Sequence, residues 1–360
     1  MRRTTIVFFV IVGLSVAIAL FALYGPTRSR PVTGLIGSEK APFFEDQRVK
    51  NALRRHGLEI TVQKAGSREI ASRGDLKSFD FAFPAGVPAA EKIQRETGVS
   101  KSYNPFFTPM VIASWKPIAD LLIQQGLATD QGGYYSLDMG KFLALMRDQT
   151  RWKDIPGNTA FAANKSVLIS STDVRKSNSA AMYLALMSYV ANQNNIVQSL
   201  DQARPQLPLL TDMFLRQGLR PSSTQEPFED YLVKGMGHSP IVIIYEAQYV
   251  AQAAREDGSM LPDMVLMYPT PTIFTKHILI PFSANGEKLG QVLETDAELQ
   301  KLAVEYGFRN SNLAYFRDFT AKHKVTLPQA IVDVIEPPSY EVLEGMIQEI
   351  EKAYEQGGGG

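Results

Sequence analysis

Short apolar runs separated by polar or glycine-containing loops recur in the early part of the chain and predict alternating strands and helices. Val32 to Ile36 and Leu58 to Val62 have the length and apolar character of strands, and Phe79 to Pro84 is a third strand candidate. Between the first two, Glu39 to His56 places its apolar residues on one helical face and ends before Gly57. Strands that alternate with helices in this way predict a parallel sheet covered by helices.

The first two predicted strands both end in a Gly-Ser pair at the start of a helix. These pairs are Gly37-Ser38 and Gly66-Ser67, and Ala85-Gly86 follows the third strand. In a parallel α/β sheet, ligands bind outside the carboxyl ends of the strands, so all three loops are expected at the ligand-binding edge. A Gly-Ser pair after a strand is also a common turn, and its repetition at the same topological position is the informative feature.

A similar arrangement is predicted in the middle of the chain, from Val167 to Val190. Val167 to Ile169 is a strand candidate, a polar loop from Ser170 to Lys176 follows, and a helix opens at Ser177-Asn178-Ser179. The free N–H groups of a helix start, with hydroxyls and two cations just before it, suit an anion or another polar ligand. In the alternative interpretation, Ser177 or Asn178 only caps the helix and the two cations are solvated.

The remaining pattern continues the alternation. Further strands are predicted at Pro109 to Ala113, Ile241 to Tyr245, Met264 to Tyr268 and Phe274 to Pro281. Further helices are predicted at Trp115 to Gln125, Asp138 to Arg147, Gln206 to Gln217, Pro227 to Val233, Glu246 to Arg255 and Ser339 to Tyr354. The unbroken apolar run of Ile241 to Tyr245 is typical of a strand that is covered on both faces. The segment from Ala128 to Ala163 is expected to be more irregular.

Net charge, cysteine content and the spacing of histidines limit the function classes. The chain has 360 residues, and 37 Lys and Arg balance 37 Asp and Glu, so no overall field attracts nucleic acid. The absence of cysteine excludes disulfides, thiolate metal sites and a lipidated cysteine. No Gly-x-Ser-x-Gly motif is present, and the histidines lack the spacing of a zinc site: His56, His238, His277 and His323. We therefore expect a globular protein that is not an enzyme, uses no metal or other cofactor and binds no nucleic acid.

The amino terminus predicts export. Arg2 and Arg3 precede an uncharged apolar run from Ile6 to Leu23, which is just long enough to cross a membrane as a helix. Ala17-Ile18-Ala19 also fits the cleavage site of a secretory signal. Cleavage there would leave an apolar stretch at the new terminus, so we favour an uncleaved membrane anchor. In either case residues 1–30 direct the rest of the chain across the membrane.

By the order of these pieces, the sequence resembles the extracellular solute-binding proteins of the type II periplasmic-binding fold, in the branch that includes molybdate and sulfate binders. The resemblance covers Val32 to Tyr354. The segments that carry it are Gly37-Ser38, Ala65-Gly66-Ser67, Asp80 to Pro84, Asp173 to Tyr183, Ile241 to Glu246, Tyr268-Pro269 and Tyr306-Gly307-Phe308-Arg309.

The resemblance implies an α/β fold of two lobes joined by two hinge crossings, preceded by one N-terminal transmembrane helix. The crossings are expected near Pro109 to Ala113 and near Tyr268 to Phe274. Residues 31–112 and 269–360 would then form lobe 1, residues 113–268 would form lobe 2, and residues 1–30 would be the membrane anchor or signal segment. A ligand would lie between the lobes and be buried when they close.

The resemblance also implies which residues contact the ligand. Ser38 and Ser67 would contribute from lobe 1. The contacts from lobe 2 would be Thr172, Arg175, Ser177, Asn178, Ser179, Tyr245 and Glu246. Arg175 would anchor a carboxylate, phosphate or other oxyanion, whereas Glu246 would favour an amine or hydroxyl groups. We expect a small polar ligand and favour an anion.

These inferences together predict an exported, membrane-tethered solute-binding protein on the periplasmic or extracellular side of a bacterial cell membrane. Its partners would be the small ligand, the membrane and an inner-membrane transporter or sensor complex. The alternative is a scaffold subunit of a membrane complex whose ligand cleft is vestigial. That scaffold would use apolar surface such as Tyr134, Tyr135 and Trp152, although aromatic residues are more often part of the core.

Overall fold

Three parallel strands begin the fold. The structure is a computed structural model that describes residues 30–218 and 220–357. Strand β1 (Arg30–Gly37) lies between β2 (Leu58–Ala65) and β3 (Phe81–Phe83) and pairs parallel with both. This confirms the parallel sheet that the alternating pattern predicts.

The long helix predicted from Glu39 to His56 is interrupted. A 3-10 turn at Ser38–Lys40 leads into α1 (Ala41–Glu45), and α2 (Gln47–Arg55) follows directly. The break lies at Asp46, whose backbone is extended and whose carboxylate accepts the N–H of Arg48 at 2.7 Å. Asp46 therefore caps a new helix instead of continuing the first one.

The remaining strands, β4 to β10 in chain order, are Tyr103–Trp115, Ala128–Asp130, Tyr135–Asp138, Ile241–Tyr245, Met264–Thr270, Thr272–Pro281 and Val334–Ile335. The hairpin of β5 and β6 lies in the region that the sequence analysis expected to be irregular. Its strands are too short to give a clear alternation of apolar and polar residues.

The longest strand, β4, changes partners along its length. Up to Pro109 it pairs antiparallel with β9, and from Met110 onward it pairs antiparallel with β7 and β8. Strand β8 continues into β9, which also pairs with β3. Two stretches of strand thus connect the layer built on β1 to β3, called lobe 1 below, with the layer built on β5 to β8, called lobe 2. The residue boundaries of the lobes given above stay a prediction.

The helices that cover both layers, α3 to α15 in chain order, are Ser67–Ala71, Val87–Thr97, Lys116–Gln124, Met139–Arg147, Asn178–Ala191, Leu200–Ala203, Leu207–Leu215, Gln225–Lys234, Glu246–Ala254, Ala284–Thr295, Ala297–Glu305, Leu313–Lys322 and Tyr340–Gly357. Helix α7 is buried along nearly its whole length, which explains why it is apolar on all sides.

The strand predicted at Val167 to Ile169 does not form. Val167 and Ile169 are buried beside α7, but only Ser170 reaches the edge of β7, where its N–H donates to the carbonyl of Ile241 at 3.0 Å. The chain leaves that edge at once, since the N–H of Ser171 donates to Oε1 of Gln217 at 2.8 Å. A single bridge therefore replaces the expected ladder.

The C-terminal helix α15 spans both lobes. Its apolar face, including Leu343 and Met346, is buried in the core of lobe 2, against α9 and α7. Its first turns contact lobe 1, where Glu341 pairs with Arg95 and Glu344 pairs with Arg68. The helix therefore contacts both lobes, and the assignment of residues 269–360 to lobe 1 stays a prediction.

The predicted membrane anchor, Ile6 to Leu23, lies outside the described residues. Within residues 30–218 and 220–357, no helix has both the length and the apolar character that a membrane span needs.

Candidate functional site

The loops at the carboxyl ends of β1 and β2 face lobe 2 across a narrow cleft. Ser38 and Ser67 line the cleft from lobe 1, and Ser177, Asn178 and Tyr245 line it from lobe 2. The fold thus brings together these five residues that the sequence analysis named as contacts. The space between them is about 10 Å³, which is room for about one water molecule.

Local structure explains how these polar groups reach the cleft. Ser67 and Asn178 are the first residues of α3 and α7, so both helices point their N-terminal ends at the cleft. The hydroxyl of Ser67 accepts the N–H of Ala85 at 2.8 Å. Within lobe 2, Nδ2 of Asn178 donates to the hydroxyl of Tyr245 at 3.2 Å. The cleft is therefore lined by hydroxyl and amide groups whose positions are fixed.

The two lobes touch along one edge of the cleft. Nε of Arg68 in α3 donates to the carbonyl of Arg175 in lobe 2 at 3.1 Å. The same guanidinium pairs with Glu344 of α15 at 2.8 Å. A Cβ built on Gly66 would lie 2.5 Å from the carbonyl oxygen of Lys176, so the backbones of the two lobes are in close contact. This edge of the cleft is closed in the structure.

Thr172 and Ser179 lie behind the cleft surface. Their hydroxyls are 2.8 Å apart, and the hydroxyl of Ser177 is 2.8 Å from that of Ser179. Both side chains are buried, with relative exposures of 1%. Neither lines the space between the lobes, so the structure gives them a role in holding the start of α7 in place.

Arg175 does not face the cleft. Its Nε and Nη2 donate to the two carboxylate oxygens of Asp173, at 2.9 and 2.6 Å, and its guanidinium lies 4.7 Å from the ring centre of Tyr354. Hydrogen bonding to Asp173 raises the pKa of Arg175. The expected anion anchor therefore has a local acidic partner in this structure, and its contact with a ligand stays a prediction.

Glu246, the residue after Tyr245, is part of a buried ion pair and does not line the cleft. Its carboxylate accepts Nε and Nη2 of Arg309 at 2.6 and 2.9 Å, and it also accepts the hydroxyl of Tyr268. Glu246 has no exposed surface. As with Arg175, the side chain expected at the ligand has partners within the protein, and its contact with a ligand stays a prediction.

The sequence analysis missed a buried polar cluster beneath the cleft, formed by Glu39, Lys40 and His277. Nζ of Lys40 contacts the carboxylate of Glu39 and lies 3.0 Å from Nδ1 of His277, and both Lys40 and His277 are fully buried. Burial lowers the pKa of Lys40. Burial raises the pKa of Glu39, but the charge of Lys40 and the contact with His277 outweigh it, so that pKa lies well below its usual range. Only the position of Glu39-Lys40 directly after Ser38 hinted at this cluster.

The burial of a neutral His277 is expected to make the protein less stable in mild acid. Burial, and then the charge of Lys40, lower its pKa from 6.5 to about 4, so the unfolded chain takes up a proton that the native protein does not. The native state is thus favoured above pH 6.5 and loses about 2 kcal/mol between about pH 7 and pH 5. Urea unfolding at the two pH values should show this loss in the wild type and a much smaller loss in His277→Gln.

The exposed His238, changed to Gln, is the matched control for the loss of one histidine. An unchanged pH dependence in His277→Gln would show that His277 is not held neutral in the native protein.

The loop Ser222-Ser223-Thr224 also lines the cleft, and the sequence analysis did not name it. Three hydroxyl residues just before α10 resemble the other helix starts at the cleft, and that similarity was the available signal. Beyond Glu39 the cleft continues into a groove of about 650 Å³ that Gln248 and Tyr306 also line. The lobes therefore meet near Arg68, and the wider groove lies on the α11 side of Glu39. Within the described ranges, 30–218 and 220–357, no cluster of three or more acidic or histidine side chains could hold a metal ion.

Solved structures of periplasmic binding proteins have a similar fold. A putative spermidine/putrescine ABC transporter protein from Listeria monocytogenes aligns with a TM-score of 0.58 and 11% identity, over 90% of this chain and 100% of that one. Iron-bound HitA from Pseudomonas aeruginosa aligns with a TM-score of 0.54 and 13% identity, over 91% and 99% of the two chains. The sulfate-binding protein SubI from Mycobacterium tuberculosis H37Rv aligns with a TM-score of 0.51 and 16% identity, over 88% and 96%.

No protein-family model matches the sequence, and no curated protein matches it. The structural similarity shows the two-lobe α/β fold of periplasmic binding proteins. The titles of two of the aligned proteins name a solute, spermidine/putrescine and sulfate, and the third protein is described as iron-bound.

Proposed function

We propose that this chain is an exported solute-binding protein that captures a small polar ligand between its two lobes. The observation that carries the proposal is the convergence of hydroxyl and amide groups from both lobes at one cleft. Ser38 and Ser67 would bind the ligand from lobe 1, and Ser177, Asn178 and Tyr245 would bind it from lobe 2. The fold supports this function because its solved examples include proteins named for the solutes they bind.

The cleft has to open for a ligand to enter. A space of about 10 Å³ holds no solute larger than water, so binding requires the lobes to separate and close again. The stretches of β4 and of β8 to β9 that connect the lobes are the natural hinge. In this proposal the ligand stabilises the closed arrangement, and a transporter or sensor complex at the cell membrane recognises that state. The anchor at residues 1–30 would hold the protein there.

The chemistry of the lining narrows the ligand class. Arg175 is paired with Asp173, so an anion would be held by hydroxyl groups, N–H groups and the positive ends of α3 and α7. Molybdate, sulfate and related oxyanions remain the first ligands to test. Glu39 also lines the cleft, but its carboxylate is already paired with Lys40.

Thermal unfolding of the full chain against a panel of oxyanions, carboxylates, sugars and polyamines tests the proposal. A ligand present at a hundred times its dissociation constant should add about 2.7 kcal/mol of stability and raise the unfolding midpoint. The double variant Ser67→Ala, Asn178→Ala should lose that rise. The control Ser100→Ala, at an exposed serine outside the cleft, should keep it. A rise that survives in the double variant would place the ligand elsewhere.

The second candidate is the scaffold with a vestigial cleft, and the small size of the space between the lobes favours it. The three aromatic residues named for such a surface belong to the core instead, because Tyr135 and Trp152 are buried and Tyr134 packs against the core of lobe 2. Failure of every solute to raise the midpoint, together with a partner that copurifies with the full chain, would support the scaffold.

A further inference from the structure

Lobe 2 contains a second cavity, separate from the cleft between the lobes. Its volume is about 630 Å³, and it lies between the segment before α7, the end of α9 and helix α10. One wall carries mostly basic and hydroxyl side chains, namely Lys165, Ser166, Ser170, Arg216 and Arg220. None of these residues lines the small cleft space at Ser67 and Asn178.

Arg220 is the unusual member of this wall. It is partly buried, and within residues 30–218 and 220–357 none of its N–H groups has a hydrogen-bond acceptor or an ion-pair partner within the protein. Its Nε is buried, and burial lowers the pKa of this guanidinium. A partly desolvated cation that no hydrogen bond or ion pair satisfies is costly, so an acceptor from outside the chain would stabilise it.

Arg216 is held in position next to this cation. Its Nε lies 2.6 Å from Oδ2 of Asp212, and its Nη2 donates to the carbonyl of Met146 at 2.9 Å. Its Nη1 is buried and has no acceptor in the described part of the chain. Its Nε, although close to Asp212, also makes no hydrogen bond with a described residue. The guanidinium is therefore held by two partners while its Nε and Nη1 stay without such a bond.

Two hydroxyls and an ammonium complete the wall. The side chains of Ser166 and Ser170 have no hydrogen-bond partner among the described residues, so both hydroxyls can donate to a ligand. Nζ of Lys165 donates to the carbonyl of Gly237 at 3.0 Å, which fixes its charge at the rim.

The opposite wall is acidic, but two of its carboxylates have partners. Asp230 pairs with Lys234 at 2.7 Å, and Glu229 accepts Nε2 of Gln225 at 2.8 Å. Glu226, also on α10, is exposed to solvent. Asp230 acts on Arg220 through its charge but makes no hydrogen bond or ion pair with it in the described part of the chain. The hydrogen-bond donors of Arg220 therefore remain available to an anion.

We propose that Arg220 anchors an oxyanion-binding site in lobe 2 that takes a phosphate or carboxylate group. Its planar guanidinium can donate two parallel hydrogen bonds to such a group, and Ser166 and Ser170 can donate to its other oxygens. Lys165 and Arg216 add positive charge nearby. This site does not depend on closure of the lobes, so it can be tested independently of the proposed solute cleft.

Isothermal titration of the full chain with inorganic phosphate and with acetate tests this proposal and separates the two anion classes. We expect binding of at least one of them, and we expect Arg220→Gln to weaken that binding by about tenfold or more, since a bidentate charged contact is lost. Arg220→Lys keeps the charge but not the planar guanidinium, so its affinity for the anion should lie between that of the wild type and that of Arg220→Gln. Arg204→Gln changes an exposed arginine of lobe 2 and should bind like the wild type.

If neither anion gives a heat of binding at millimolar concentration, the proposal is overturned, since water alone would then satisfy Arg220. Equal binding by Arg220→Gln and Arg204→Gln would also overturn it. The cleft variant Ser67→Ala, Asn178→Ala should bind phosphate or acetate at this site as the wild type does. A loss of binding in that variant alone would assign the anion to the cleft instead of to Arg220.

Discussion

Replacement of Glu246 by alanine is expected to lower the free energy of unfolding by about 3–5 kcal/mol, because it leaves a buried arginine without its partner. Arg309 has a relative exposure of 6%, and its Nε and Nη2 both donate to Glu246. The hydroxyl of Tyr268 would also lose its acceptor. Urea denaturation followed by circular dichroism measures the change.

An exposed ion pair gives the matched control for this prediction. Asp201 and Arg204 lie 2.9 Å apart on the surface of lobe 2, with side chains that are 85% and 70% exposed. Asp201→Ala should therefore cost less than about 1 kcal/mol. If Glu246→Ala lowered the free energy of unfolding as little as this control, the carboxylate would not be needed for stability. That result would favour the sequence-based prediction that Glu246 contacts the ligand.

Replacement of Gly66 by valine is expected to weaken solute binding by about tenfold to a hundredfold, because overpacking of this kind costs about 1–3 kcal/mol. Gly66 has φ −63° and ψ 142°, a backbone conformation that any residue adopts. The obstacle is the carbonyl oxygen of Lys176 in lobe 2, which would lie 2.5 Å from the new Cβ. The substitution should therefore oppose closure without straining its own loop. Calorimetric titration with the solute found in the thermal panel measures the loss.

Gly74→Val is the control, since a Cβ at that position meets nothing within 4 Å. It introduces the same side chain in lobe 1 but leaves the cleft free to close. Equal affinities for the Gly66 and Gly74 variants would mean that the solute does not need the lobes to approach each other at this edge.

The sheet at the start of the chain could be predicted because its signals are local. The apolar runs of β1 to β3 and the helices between them indicate parallel strands, and β1 pairs with both neighbours in the predicted parallel direction. The Gly-Ser pairs could also be placed at the cleft, because the carboxyl ends of parallel strands share one edge. Ser38 and Ser67 lie there for that reason.

The roles of charged residues were harder to predict because they depend on distant partners. Glu246 meets Arg309, which is 63 positions away, and Lys40 meets His277, which is 237 positions away. No local pattern shows such pairs, so a carboxylate or ammonium near a predicted loop looks available when it is not. Arg175 is different, because its partner Asp173 is only two positions earlier in the sequence. That pairing could have been proposed from the sequence alone.

The position of α15 illustrates a third difficulty, which is to predict the lobe against which a helix packs. Its apolar face was recognised as helical, but a helical pattern does not say which core it covers. The helix packs on lobe 2, and glutamates in its first turns form ion pairs with Arg68 and Arg95 of lobe 1. Such a choice between two apolar surfaces is made by tertiary packing and leaves no periodic signal.

The most direct test of closure around a solute is a distance between the lobes. Spin labels can be attached to Lys77→Cys in lobe 1 and to Lys153→Cys in lobe 2, which are both exposed positions. The chain has no cysteine, so no other position would be labelled. We predict a broad distribution of distances without solute, a single narrow one when solute is added, and a distribution that stays broad in Gly66→Val. One unchanged distribution in all three samples would contradict the account, because a protein whose lobes do not move cannot capture a solute in a cleft of this size.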